Sequence, residues 1–218
     1  GGSGGHVIPA TIIYKHLEHS FDVSMTTDLR GINFLNKDEY NLKIFNVRPI
    51  SKNLLAIPFD FLLILVLIFK SIIFLRKNNI NILISTGGYM SLPLCLGAKI
   101  LNIKLLLFEP NMVLGRSNKL FISYCQKIFC YSKNIKKLPD KFKNKIEVIP
   151  ALLRKIFYDK EDNNNSLDII SLLIIGGSQG AKIFDDLVKN TIIKLSKKYK
   201  LKIYQQTSSI NFESFKKI

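Results

Sequence analysis

The sequence predicts an α/β fold built from two doubly wound domains, the second incomplete. Two observations carry that prediction: a pair of glycine-rich loops of similar design, and an alternation of short apolar runs with helix-spaced segments. The first loop is Gly1-Gly2-Ser3-Gly4-Gly5-His6. The second is Gly176-Gly177-Ser178-Gln179-Gly180, directly after the apolar run from Leu167 to Ile175. Glycine turns between a strand and a helix bring backbone N–H groups close to a phosphate, and the helix N-terminus adds partial positive charge. One such loop per half predicts two nucleotide-fold domains that face each other across a cleft. No strand precedes Gly1, although a loop of this kind hangs from the end of a buried strand. The expectation is that the first strand of domain one is missing, and that domain two stops after one strand–helix–strand pass.

The elements follow in order. Ile8, Ile12, Ile13 and Leu17 have helical spacing. Phe21 to Thr26 reads as a strand, Asp28 to Gly31 as a turn, and Asn41 to Val47 as a strand. Asn81 to Thr86 is a strand ended by Gly87-Gly88. Leu92 to Leu101 is a helix with Pro93 in its first turn, where proline is tolerated. Lys104 to Phe108 is a strand, Asn118 to Cys125 a helix, and Lys127 to Tyr131 and Lys145 to Ile149 are strands. This order implies a mostly parallel sheet with right-handed crossovers. Residues 1–154 form the first domain, the polar stretch 155–166 the linker, and 167–218 the start of the second domain.

The segment from Asn53 to Lys77 is the most apolar. Its uninterrupted part, Phe61 to Phe69, is far short of the roughly 20 residues a span needs, with Pro58, Asp60 and Lys70 around it. Three readings stand: a crossover helix buried on the sheet, an amphipathic helix at a membrane surface with Lys70, Arg76 and Lys77 at the lipid, and a span.

Composition narrows the function. The net charge is +16. Arg occurs only at Arg30, Arg48, Arg76, Arg116 and Arg154, so Lys supplies most of the 32 basic residues. Arg stripes interleaved with aromatics are missing, which argues against nucleic acid. The charge reads either as solvated surface or as a face for anionic lipid or a phosphorylated substrate. Cys95, Cys125 and Cys130 lack metal spacing and read as buried free thiols. Asp-x-Asp does not occur, and Asp185-Asp186 diverge by about 100° on a helix, so neither a metal nor another cofactor is expected.

Four segments together resemble the bacterial MurG-type glycosyltransferases. They are Gly1 to Ala10, Thr86-Gly87-Gly88-Tyr89-Met90-Ser91-Leu92-Pro93, Phe108-Glu109-Pro110-Asn111 with Gly115 and Asn118, and Gly176 to Lys182. Phe108 and Pro110 depart from the His and Gln usual in that family, and of its Gly-Asn-Pro-Val-Arg only Arg154 has a counterpart. The resemblance implies a GT-B-type fold of two Rossmann-like domains. It implies inverting transfer of N-acetylglucosamine from UDP-N-acetylglucosamine to the 4-hydroxyl of an undecaprenyl-linked muramyl-pentapeptide, at the cytoplasmic face of the plasma membrane. His6 is then the candidate base and Glu109 a second one. Ser3, Gly4 and Gly5 offer N–H groups to the acceptor diphosphate or sugar, Asn111 to the sugar, and Ser178 with Gln179 to the donor diphosphate. Arg154 serves the nucleotide end. Gly1, Gly2, Gly87, Gly88, Gly176, Gly177 and Gly180 shape the phosphate loops.

Two rivals remain. One is a non-catalytic membrane-associated subunit or remnant of a split or decayed transferase. The other is a dinucleotide-dependent oxidoreductase, in which Asp28 would hold a ribose at the end of the second strand.

Overall fold

The computed structural model describes residues 3–47, 57–154, 157, 169–176 and 182–206. The chain divides into two compact units, Gly1–Lys160 and Glu161–Ile218.

The first unit runs α1 (Gly4–Leu17), β1 (Met25–Thr27), β2 (Leu42–Ile44), α2 (Ile57–Lys77), β3 (Ile82–Ser85), α3 (Ser91–Ile100), β4 (Lys104–Glu109), α4 (Arg116–Phe121), β5 (Lys127–Cys130) and β6 (Ile146–Val148). Strands β3-β4-β5-β6 form one parallel sheet, and β1 pairs with β2, also in parallel, in a second ladder. Parallel strands are buried by their crossover helices and so read as apolar runs. Leu105, Leu107 and Phe108 of β4 are accordingly buried. One core cluster joins β4 and β5 to α4 through Leu105, Leu107, Phe121 and Ile128. Another joins α2 to α3 through Leu75, Leu94 and Ala98. A third holds α1 to β1 through Val7, Tyr14 and Met25.

Several boundaries differ from the sequence expectation, each for a local reason. Helix α1 begins at Gly4, not Ile8, because the carbonyl of Ser3 accepts the amides of His6 and Val7, both at 2.9 Å. Gly4 and Gly5 are therefore in the first turn of the helix, and Pro9 lies inside it. Strand β1 starts at Met25, not Phe21. The carbonyl of Leu17 captures the amides of Ser20 and Phe21 and prolongs the helix end. Helix α4 starts at Arg116 and ends at Phe121, short of Cys125. Beyond it, Lys145 Nζ donates to the carbonyls of Ile122, Ser123 and Cys125 at 2.9, 3.0 and 2.5 Å, which satisfies exposed acceptors at the helix end.

Helix α2 is longer than its apolar core suggested. It continues through Asp60 and Lys70 for 21 residues, and by length and composition alone it could cross a membrane. It is a buried crossover helix along one stripe only. Ser71 and Leu75 press on α3 where Gly97 leaves room; a Cβ on Gly97 would lie 3.3 Å from Ser71 Cβ. Elsewhere the helix is open, and only 11% of its apolar window is buried.

In the second unit, β7 (Ile170–Ile174) and β8 (Leu201–Gln205) pair in parallel, with α5 (Lys182–Ser196) between them in sequence. Of the polar stretch 155–166, all but Phe157 lies outside the described residues, as do Gly1, Gly2, Gly177, Ser178, Gln179 and Gly180.

All three cysteines are free and buried. Burial pushes the Cys95 thiol up to about 12, against modest lowering by hydrogen bonds with Ser85 and Ser91. Cys125 and Cys130 are also raised by burial. A thiol that holds its proton when folded gives full stability below its unfolded value, about 8.5, and loses it as pH rises toward the folded value. Urea midpoints should therefore fall between about pH 9 and 12, with a shallower slope in Cys95→Ala. An aromatic disulfide reagent at pH 8 should label the thiols only as the chain unfolds. Rapid labelling of all three in the native state would contradict the burial.

Candidate functional site

The candidate site forms where α1 begins and β3 and β4 end. Open α/β sheets place their ligands at the carboxyl ends of parallel strands. β3 ends in Thr86-Gly87-Gly88, and both glycines have left-handed backbone, with φ of +85° and +84°. Glycine is required here for the turn and for what packs on it. A Cβ on Gly87 would stand 3.3 Å from His6 Cε1, and one on Gly88 3.1 Å from His6 Cδ2. The imidazole of His6 thus lies against the bare backbone of this loop.

One hydrogen bond fixes its chemistry. His6 Nδ1 lies 2.6 Å from the carbonyl oxygen of Thr86. A carbonyl only accepts, so Nδ1 carries the proton and donates. The neutral ring then presents Nε2 as a lone-pair acceptor. The amides of Gly4 and Gly5 lie in the first helical turn, where N–H groups have no intrahelical acceptor. Ser3 occupies the cap position with extended backbone, and its hydroxyl makes no cap hydrogen bond. Two amides, one hydroxyl and one imidazole nitrogen thus cluster at the start of α1. Such a group suits an anion beside a reacting hydroxyl.

Glu109, at the end of β4, is 2% exposed. Its Oε1 accepts from the Asn111 amide at 3.3 Å and Asn111 Nδ2 at 3.0 Å. Its Oε2 accepts from the Gly115 amide at 2.7 Å and Asn118 Nδ2 at 3.0 Å. A buried carboxylate is tolerated only with partners of this kind. Gly115 has no side chain because a Cβ there would sit 3.0 Å from Glu109 Oε2. With both oxygens engaged, this carboxylate organises the loop from Pro110 to Gly115 rather than facing solvent as a base. Asn118 links the two halves of the site. Its Nδ2 also donates to the Phe108 carbonyl at 3.1 Å. Its Oδ1 is buried without a hydrogen-bond partner, and a Cβ on Gly87 would lie 3.4 Å from it. Ser91 and Ser117, 2.9 Å apart through their hydroxyls, tie the start of α3 to α4.

The structure therefore brings together His6, Gly4, Gly5, Gly87 and Gly88, with Glu109 and Asn111 on the neighbouring loop. Arg154 is elsewhere in the same unit. It is exposed and lines a separate hollow of ≈ 400 Å³ with Thr11, Lys15, His16 and Tyr40. His16 Nε2 meets the Leu153 carbonyl at 3.2 Å, which ties this segment to α1. Gly176 follows β7 and is half-buried. Asp28 is unsuited to a ribose. It is 1% exposed, and it accepts from Arg30 Nε at 2.9 Å and the Gly31 amide at 2.9 Å. Sequence reasoning missed Ser117, the Thr86 carbonyl as acceptor for His6 and the link that Asn118 makes, because a backbone acceptor and long-range pairs leave no spacing to read.

The family model for the glycosyltransferase family 28 N-terminal domain matches residues 1–130. The chain is 83% identical over 218 residues to the UDP-N-acetylglucosamine--N-acetylmuramyl-(pentapeptide) pyrophosphoryl-undecaprenol N-acetylglucosamine transferase of Pelagibacter ubique (strain HTCC1062), covering 100% of this chain and 61% of that protein. It is 31% identical to the transferase of the same name from Rickettsia canadensis (strain McKiel), covering 94% of this chain and 58% of that one. The chain thus spans about three-fifths of the length of these relatives. Among solved structures, MurG of Acinetobacter baumannii aligns with a TM-score of 0.73 at 23% identity, over 99% of this chain and 61% of that one. A UDP-GlcNAc 2-epimerase from Methanocaldococcus jannaschii aligns at 0.60 with 16% identity, over 99% of this chain and 66% of that one. At these identities the structural matches speak for the fold, a GT-B-type α/β arrangement.

Replacing Glu109 by Gln should cost about 1–3 kcal/mol in urea unfolding, because an amide NH₂ is turned toward donors. Gly88→Ala should cost about 1–2 kcal/mol for the left-handed backbone alone, with displacement of the His6 ring visible by NMR. A Glu109→Gln variant as stable as the parent would show that the carboxylate does not hold the loop.

Proposed function

The chain belongs to glycosyltransferase family 28, and from that premise we propose that it is the acceptor-side part of an inverting hexosyltransferase. The reading has N-acetylglucosamine pass from UDP-N-acetylglucosamine to the 4-hydroxyl of an undecaprenyl-pyrophosphoryl muramyl-pentapeptide, the lipid I to lipid II step of peptidoglycan synthesis. The printed name of the Pelagibacter relative supports the choice of sugar and acceptor. The observation that carries the chemistry is the His6 imidazole, fixed as the Nδ1–H form by Thr86.

In this mechanism the acceptor hydroxyl attacks the anomeric carbon as the bond from that carbon to the UDP oxygen breaks. His6 Nε2 takes the hydroxyl proton, and UDP leaves with the bonding pair. Gly4 and Gly5 amides and the Ser3 hydroxyl bind the acceptor's diphosphate or the sugar. Glu109 positions Asn111 for a sugar hydroxyl. Gly1, Gly2, Gly87 and Gly88 let backbone approach the ligand. Ser178 and Gln179, on the loop from Gly176 to Gly180, hold the donor diphosphate, and Arg154 the nucleotide end. Helix dipoles and amides stabilise the leaving charge without a metal.

The same reading includes peripheral attachment to an anionic membrane surface at the cytoplasmic face. Phe59, Phe61, Leu62, Leu65, Phe69 and Ile73 of α2 are exposed, which is unusual for so many large apolar side chains on one helix. Lys70, Arg76 and Lys77 on the same helix are also exposed. Apolar insertion with basic residues at the headgroups fits this pattern.

In a chain completed with the flanking residues of the Pelagibacter relative, His6→Ala should lower kcat by about 10²–10⁴-fold with little change in donor KM. Ser178→Ala and Arg154→Ala should instead raise donor KM, because the diphosphate and nucleotide are bound in the ground state. Small, equal effects of all three would contradict the assignment.

Flotation with anionic vesicles should retain the chain at low salt and release it as salt rises, since screening acts within about 10 Å at 0.1 M. Phe61→Ser with Phe69→Ser should weaken flotation as well. Unchanged flotation in that double variant would rule α2 out as the contact.

A further inference from the structure

We infer that Phe34 is a stacking wall for a pyranose ring lying over Gly5, so that the first turn of α1 grips a glycosyl phosphate by its sugar as well as by its phosphate. This rests on the transferase reading and deepens it, by adding a residue and a ligand face to the site at the start of α1.

Phe34 is held in place by a buried carboxylate that the mechanism does not use. It ends a short 3₁₀ turn, Gly31–Phe34, that follows β1. Asp28 fixes this turn. Its Oδ1 accepts from the amides of Arg30 at 3.1 Å and Gly31 at 2.9 Å, and its Oδ2 from Arg30 Nε at 2.9 Å. The Asp28 carbonyl accepts from the amides of Gly31 and Ile32 at 3.1 and 3.3 Å. A carboxylate this deeply buried needs such donors, and in taking them it leaves the turn one good conformation. The turn then sets Phe34 on the bare backbone of α1. A Cβ on Gly4 would lie 3.2 Å from Phe34 Cε1 and 3.5 Å from both Cδ1 and Cζ. A lone exposed phenylalanine needs no explanation. This one is 47% exposed although it is fixed against the helix turn that carries the site.

Gly5 supplies the second observation. It lies between Gly4, on which the Phe34 ring rests, and His6. A Cβ added to Gly5 would meet nothing within 4 Å, and its backbone is not left-handed. Glycine disfavours a helix, and here neither packing nor backbone geometry asks for it. Gly4, Gly87 and Gly88 each make room for a ring of this chain; Gly5 makes room for nothing in it. Bare backbone with open space above it admits the close approach of a ligand.

The ligand chemistry follows from what surrounds that space. A pyranose carries an apolar C–H face and a rim of hydroxyls. The Phe34 ring suits the face, and the Gly4 and Gly5 amides with the Ser3 hydroxyl suit the rim and an attached phosphate. A bare anion would have no use for the aromatic wall. Donor and acceptor both carry a sugar on a diphosphate, so the shared chemistry is a glycosyl phosphate.

The test has two arms. In the first, the aromatic signals of Phe34, assigned with Phe34→Leu, are followed by NMR in the 218-residue chain. The chain is titrated with N-acetylglucosamine 1-phosphate, uridine monophosphate and inorganic phosphate. The sugar phosphate should shift the Phe34 ring, and inorganic phosphate only the Gly4 and Gly5 amides. Ring shifts with none of the three, or equal shifts with all, would overturn the inference, as would a ring that answers to the uridine nucleotide alone. In the second arm, kinetics are measured in the completed chain described above. Phe34→Leu should raise the KM of one sugar substrate by about 3–10-fold with kcat little changed, and Phe34→Tyr should keep the parent value. Whether the acceptor or the donor KM rises identifies which sugar stacks. Gly5→Ala should raise the same KM while unfolding at equal or higher urea, an outcome that a purely structural glycine would not give. An active chain in which Phe34→Leu leaves both KM values unchanged would overturn this inference and leave the transferase reading standing. A completed parent without transfer, whose Phe34 ring still shifts with the sugar phosphate, would overturn that reading and leave the sugar site.

Discussion

A single hydrogen bond, from His6 Nδ1 to the carbonyl of Thr86, holds together the parts on which this fold and its chemistry depend. It ties the first turn of α1 to the loop after β3, two segments 80 residues apart in sequence. The bond needs Gly87 and Gly88 for two reasons at once. Both adopt left-handed backbone, and both lie under the ring, where a Cβ would press on it at 3.3 and 3.1 Å. The bond also sets the tautomer. A histidine at a helix start could orient either nitrogen outward, but a carbonyl on Nδ1 leaves only Nε2 to accept a proton. Position and reactivity thus come from one contact.

The neighbouring loop depends on a different constraint, the cost of a buried charge. Glu109 is withdrawn from water and satisfied by four donors from three residues. Removing any one donor leaves part of a carboxylate unpaired in a low-dielectric setting, so the loop has one good conformation. Asn118 extends that network toward the His6 clamp, and its buried, unpartnered Oδ1 lies at the junction. The two halves of the site are therefore coupled through Asn118.

Much of this was legible in the sequence. The parallel α/β class followed from the alternation of strands and helices, and Gly87-Gly88 marked the turn against which the His6 ring lies. The strands β3 to β6 fell close to their apolar runs, because buried parallel strands carry an unbroken signal. What was hidden was long-range or backbone-borne. Helix α1 starts four residues early because the Ser3 carbonyl caps it, and glycine-rich sequence hides a helix start. Helix α2 passes through Asp60, in its first turn, and through Lys70, which is exposed. Glu109, read from the sequence as a second candidate base, is buried and held by four donors. Its burial depends on Gly115 and Asn118, which no local pattern links to it.

The central claim is that His6 is held as the Nδ1–H tautomer with Nε2 available to take a proton. A long-range proton–nitrogen NMR correlation of the His6 imidazole at neutral pH tests it most directly. The account predicts a protonated Nδ1 and an unprotonated Nε2, with the pattern lost in Gly88→Ala as the ring is displaced. A His6 ring protonated on Nε2 alone, or one exchanging freely between tautomers in the folded chain, would contradict it.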